Sequence, residues 1–92
     1  MVVKVKLLVP YNRIADAQNL SLEIQGDSLD ILVKALIEKY PALERHFKGD
    51  EVPGAAPFLL VINDKVVPVG KPSDIILQEG DVVAFTRVLG GG

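Results

Sequence analysis

Leu29, Leu32, Val33, Leu36 and Tyr40 recur at spacings of three, four and seven, which puts them on one face of a helix. A lone amphipathic helix cannot bury such a stripe against itself and needs an apolar sheet face opposite. The rest of the chain offers one. Val3, Val5, Leu7 and Val9 alternate with Lys4 and Lys6, the period-2 pattern of a half-buried strand, and Val2 and Leu8 share the lysine face. Pro10 ends that run, and residues 10–19 read as a polar connection. Leu20, Leu22 and Ile24 then alternate with Ser21, Glu23 and Gln25. Two alternating strands joined by one loop predict an antiparallel hairpin.

Gly26-Asp27-Ser28 reads as a turn into the helix, with Asp27 or Ser28 available to cap the free N–H groups of its first turn. Asp30 and Lys34 form an i, i+4 pair on the polar side. Pro41 disfavours helical geometry at Tyr40 and sets the end, with a short helical turn expected over 42–47. Residues 48–57 hold two Gly and two Pro and read as a loop. Phe58 to Ile62 is a compact apolar strand, Asn63-Asp64-Lys65 a tight turn, and Val66 to Val69 a short strand. Pro68 lacks the ladder N–H, so that strand belongs at a sheet edge. Residues 70–77 read as irregular, Glu79-Gly80-Asp81 as a turn, and Val82 to Leu89 as the last strand. The fold class is α+β: one main helix across one mixed sheet.

Composition removes whole classes of function. At 92 residues the chain makes one domain, too small for a deep cleft. Lys and Arg total 10 against 12 Asp and Glu, which argues against a nucleic-acid partner. Cys is absent, which excludes disulfide scaffolds, thiolate zinc sites and cysteine nucleophiles. The longest apolar run is five residues, far short of a bilayer span, so no membrane partner and a cytoplasmic location are expected. Hydrophobic residues reach 49%, which excludes disorder and suggests either a well-filled core or an apolar surface kept for a partner.

Catalytic candidates are few. His46 stands alone and reads as a helix-end histidine. Glu79 and Asp81 flank a turn glycine and read as solvated turn residues rather than an acid–base pair. Lys4 and Lys6 read as a solvated sheet face, with an electrostatic partner contact as the alternative. Gly90-Gly91-Gly92 closes the chain directly after a strand. Composition leaves two accounts of it: a frayed terminus or cloning scar, or a side-chain-free thread that presents a carboxylate inside a narrow channel.

In order along the chain, Lys4-Val5-Lys6-Leu7-Leu8, Glu38-Lys39-Tyr40-Pro41, Val61-Ile62-Asn63-Asp64-Lys65, Leu77 to Val83 and Gly91-Gly92 resemble the ThiS/MoaD family of ubiquitin-like sulfur carriers. That resemblance implies a β-grasp domain over 1–89 and a flexible tail over 90–92. It implies a ubiquitin-activating-type adenylyltransferase that uses its own ATP and Mg²⁺ to adenylate Gly92, with Gly90 and Gly91 threading the tail. A sulfur donor then converts the acyl-adenylate to a thiocarboxylate. The chain itself is expected to hold no cofactor and no metal, and to do no catalysis alone. Leu8, Leu60, Thr86 and Arg87 are expected to border the partner contact. The length and the long 42–57 segment favour the small subunit of molybdopterin synthase, whose partner is the large subunit. Arg87-Val88 stands where such tails commonly carry a proline pair. A carrier serving thiazole synthase or tRNA thiolation, a protein modifier, and a plain interaction module remain the alternatives.

Overall fold

A computed structural model describes residues 1–47 and 58–87. Strands β1 (Val2–Leu7), β2 (Asn19–Glu23), β3 (Leu59–Ile62), β4 (Lys65–Val67) and β5 (Val82–Thr86) form one mixed sheet in the order β2-β1-β5-β3-β4. β1 and β5 run parallel side by side at its centre, and every other pairing is antiparallel. Helix α2 (Leu29–Lys39) buries Leu29, Leu32 and Leu36 completely. They meet Val3, Val5 and Leu7 of β1, Leu60 of β3, and Val83 and Phe85 of β5, all at most 1% exposed. Fully burying each such side chain stabilises by about 1.5–3 kcal/mol. Val33 and Tyr40, expected on the same stripe, are only half-buried.

Local capping does not start the helix. Ser28 Oγ donates to the Asp30 carboxylate, and no side chain bonds the first-turn N–H groups. Residues 75–77 supply the partners instead. Leu29 N–H donates to the Ile75 carbonyl at 2.9 Å, Ser28 bridges Ile76, and Leu77 N–H donates to the Asp27 carbonyl. A stretch that reads as irregular thus satisfies a helix end that reads as locally capped. At the other end Tyr40 and Pro41 stop the helix as expected. A 3₁₀ turn (Pro41–Leu43) and the short helix α3 (Glu44–Phe47) follow.

The stretch 10–19 is more than a connection. It holds helix α1 (Tyr11–Ala15), with Tyr11 fully buried and its ring edge-on to Phe47 at 5.0 Å. One turn of helix is too short to show a period, so only tertiary contact reveals it. Val9, expected inward, is exposed, because β1 pairing ends at Leu7. β4 ends before Pro68 and lies at the sheet edge, as a proline there requires.

The turn residues are structural. Asn63 and Asp64 take φ of +50° and +69° in a two-residue hairpin loop, a conformation that Asn and Asp tolerate best among residues with a Cβ. Asn63 Nδ2 donates to Asp81 Oδ1 at 3.0 Å, and Val82 N–H donates to Asn63 Oδ1 at 2.9 Å. Val2 N–H donates to both Glu79 carboxylate oxygens, and Gln78 N–H to Asp81 Oδ2. Glu79 and Asp81 therefore tie the start of β1 and the β3–β4 hairpin to the turn before β5. Asn63→Ala removes two of these bonds and puts a Cβ-bearing residue without a polar side chain at positive φ. It is expected to cost about 1–3 kcal/mol in urea unfolding. Asp64→Gly, which relieves the neighbouring positive φ, is the control and should cost nothing.

Candidate functional site: the outer sheet face

α2 covers one face of the sheet, and the pairing register shows what the other presents. Val83 and Phe85 point inward, so Val82, Ala84 and Thr86 point outward. Across the antiparallel pair, Leu59 lies opposite Thr86 and Val61 opposite Ala84; Val66 lies opposite Val61. Lys4 and Lys6 flank this strip on β1, with Leu8 just past the strand end. Val66 is 64% exposed and Leu8 44%. Ala84, small and hemmed in by Lys6 and Val61, forms a nearly buried floor.

Leu8 and Thr86 therefore come together at one end of this face, and Arg87 follows directly after β5. Thr86 Oγ1 donates to the Val9 carbonyl at 3.0 Å and pins the chain after β1 to the end of β5. Leu60 does not join them. It pairs with Phe85 and is fully buried on the helix side, so it cannot border a partner contact. The apolar run over 58–62 hides its own phase. Phe58, Leu60 and Ile62 turn to the core, and Leu59 and Val61 face out. Leu59 and Val61 are the residues of the candidate face that pattern alone misses. Register against β5, whose flanking Thr86 betrays its phase, is the signal that finds them.

On the β2 side the face becomes polar. Lys4, Lys6, Asn19 and Ser21 line a shallow cleft of about 390 Å³ with Val82 as part of its wall. The outer surface thus has an apolar half and a cationic half side by side. Among the described residues no group of three His, Cys, Asp or Glu could hold a metal ion. His46 sits at the end of α3, edge-on to Tyr11 at 6.4 Å. Among the described residues, an apolar strip beside two lysines has the make-up of a protein-contact surface. Gly90, Gly91 and Gly92 lie outside the described residues. They follow β5, which ends at Thr86 on the Leu8 rim of this face. No helix among the described residues is long and apolar enough to cross a membrane.

A mixed five-stranded sheet, parallel at its centre and crossed by one main helix, defines a ubiquitin-like β-grasp protein. Within that class the chain belongs to the ThiS family, whose sequence pattern it matches over residues 5–92. It is 29% identical over 72 residues to ubiquitin-related modifier 1 of Candida glabrata, spanning 77% of this chain and 70% of that protein. Among solved structures it is similar to small archaeal modifier protein 1 of Methanosarcina acetivorans, at TM-score 0.77 and 26% identity, covering 99% of this chain and 96% of that one. It shares its fold with one chain in the structure of the complex of subunits 1 and 2 of the Helicobacter pylori molybdopterin-converting factor, at TM-score 0.59 and 21% identity, covering 100% of this chain and 100% of that one.

Proposed function

We propose that this chain is a carrier whose Gly92 carboxylate is adenylated by a ubiquitin-activating-type enzyme and then converted to a thiocarboxylate. The observation that carries this reading is that the family match runs through Gly92, six residues beyond a strand that ends at the rim of the exposed sheet face. A carboxylate is a poor electrophile until one oxygen becomes a leaving group. Attack on the α-phosphorus of the partner's ATP supplies that group and releases pyrophosphate. A persulfide sulfur on the donor then attacks the acyl carbon, AMP leaves, and a second donor thiol resolves the acyl disulfide to free the thiocarboxylate. The chain contributes a recognised surface and a thread without side chains. ATP and Mg²⁺ belong to the activating enzyme.

For the acceptor we favour the large subunit of molybdopterin synthase, supported by the fold shared with a molybdopterin-converting factor subunit that assembles with its partner. A modifier or tRNA-thiolation role is the second reading, favoured by the likeness to two proteins named as modifiers and by Arg87-Val88 in place of a proline pair. Intact mass after incubation with activating enzyme, ATP, Mg²⁺ and a persulfide donor tests the common step. The expected gain is the mass difference between sulfur and oxygen, and an unchanged mass would overturn it.

The surface makes its own prediction. Leu8→Asp and Val61→Asp each place a carboxylate in the apolar strip and should weaken the activating enzyme's binding by at least about 10-fold, the scale of one truncated interface contact. Leu8→Asp should leave the circular dichroism spectrum unchanged. Leu60→Asp should unfold the protein instead, because it buries an unpaired charge.

A further inference from the structure

Helix α2 carries a second stripe that the sheet does not bury. Asp30, Val33, Lys34, Ile37 and Glu38 fall at i, i+3, i+4, i+7 and i+8, turned well away from Leu29, Leu32 and Leu36. This stripe forms one wall of an apolar groove of about 460 Å³. Phe47, Phe58 and Pro72 form the opposite side. Val33 and Ile37 are half-buried and look into it, although a helix of this amphipathic kind ordinarily puts polar residues on that flank. The stripe runs for about 12 Å, two helical turns, at 1.5 Å per residue.

The rim selects the occupant. Asp30, Glu38 and Glu44 place three carboxylates around the apolar floor against the one ammonium of Lys34. The outer sheet face has the opposite sign, with Lys4 and Lys6 beside its apolar strip. We infer that this groove is a second docking site, which takes a basic amphipathic helix of a partner protein through two apolar side chains one turn apart. The carboxylates of the rim meet its Lys or Arg residues, and the floor takes its apolar anchors. A partner held there lies on the helix side and leaves the outer sheet face uncovered. The inference stands on the groove and its rim, and does not depend on the chemistry at Gly92.

The test is amide chemical-shift mapping on the full isotope-labelled chain. The probe is a synthetic helical peptide of roughly three turns, with Leu at two positions one turn apart and Lys elsewhere on that side. Its controls carry Glu for Lys, or the same residues in scrambled order. The expected result is saturable shifts at Val33, Lys34, Ile37 and Phe58 with the basic peptide alone. Raising the salt to about 0.5 M should weaken binding several-fold by screening the rim. Ile37→Glu should reduce binding at least about 10-fold. Glu38→Lys, at an exposed position where folding is not in question, should weaken it several-fold, and Leu8→Asp should bind like the parent chain. Equal binding of the acidic peptide, shifts confined to the sheet face, or no shift at millimolar peptide would each overturn the inference. So would groove shifts that grow with protein concentration alone, which mean a second copy. Binding only after residues 49–56 are replaced by a Gly-Ser linker would also overturn it, because the occupant would then be this chain's own segment.

Discussion

A chain extended by one residue after Gly92 is expected to lose ATP–pyrophosphate exchange with its activating enzyme. The added residue turns the Gly92 carboxylate into an amide and moves the new terminal carboxylate by up to about 3.6 Å. A misplacement of about 1 Å already costs on the order of 10²-fold in rate, so exchange should fall below about 1% of the intact chain's. Removing Gly92 should have the same effect, since the carboxylate then stops short of the nucleotide. The acyl-adenylate is sensitive to water, so the partner's channel must be closed around the tail. A Cβ at position 91 should therefore slow exchange as well, with position 90 more permissive. None of these changes should move the urea midpoint, because the last core residue among those described, Phe85, lies five or more residues before every altered position. Equal exchange by the intact and extended chains would sink the carrier reading and leave an interaction module.

Phe85→Ala is expected to be the most damaging single truncation for stability. Phe85 is fully buried on β5, between β1 and β3. Its ring stacks on Phe47 at 5.3 Å and meets Phe58 edge-on at 5.1 Å. Phe47 in turn meets Tyr11 of α1. Removing the ring takes away the member of this cluster that sits on a central strand. The cost should be about 3–5 kcal/mol, from lost transfer energy plus the cavity left behind. A domain of this size holds only about 5–14 kcal/mol in all, so the melting temperature should fall by roughly 15–30 °C. A loss below about 1 kcal/mol in urea unfolding would show that the cluster collapses around the gap, and would remove Phe85 as the keystone of the core.

How much of this was legible in the chain can be judged residue by residue. The helix stripe at Leu29, Leu32 and Leu36 and the inward set Val3, Val5 and Leu7 were readable, because alternation and helical period are local and each spans several repeats. The Asn63-Asp64 turn and the Pro68 edge were readable from backbone chemistry alone. Tyr11 was not, because a five-residue helix has no period to display. The helix cap was not, because its acceptor at Ile75 lies about 46 residues from Leu29 along the chain. Leu60 failed for another reason: five apolar residues in a row carry no alternation, so either phase fits.

The sequence by itself determined the five strands and the main helix, the Leu29, Leu32 and Leu36 part of its core stripe and the edge position of β4, since each follows from side-chain size, φ preference or periodicity within a few residues. Only the tertiary structure decided which side of β3 faces out, and so that Leu59 and Val61 rather than Leu60 belong to the outer sheet face. It alone revealed that Ile75 caps the helix and that Val33 and Ile37 line a second groove. The physical reason is common to all three. Register, capping by distant backbone and the coverage of a helix flank are set by which strands and loops arrive alongside, and that information lies in pairings between residues far apart in the chain.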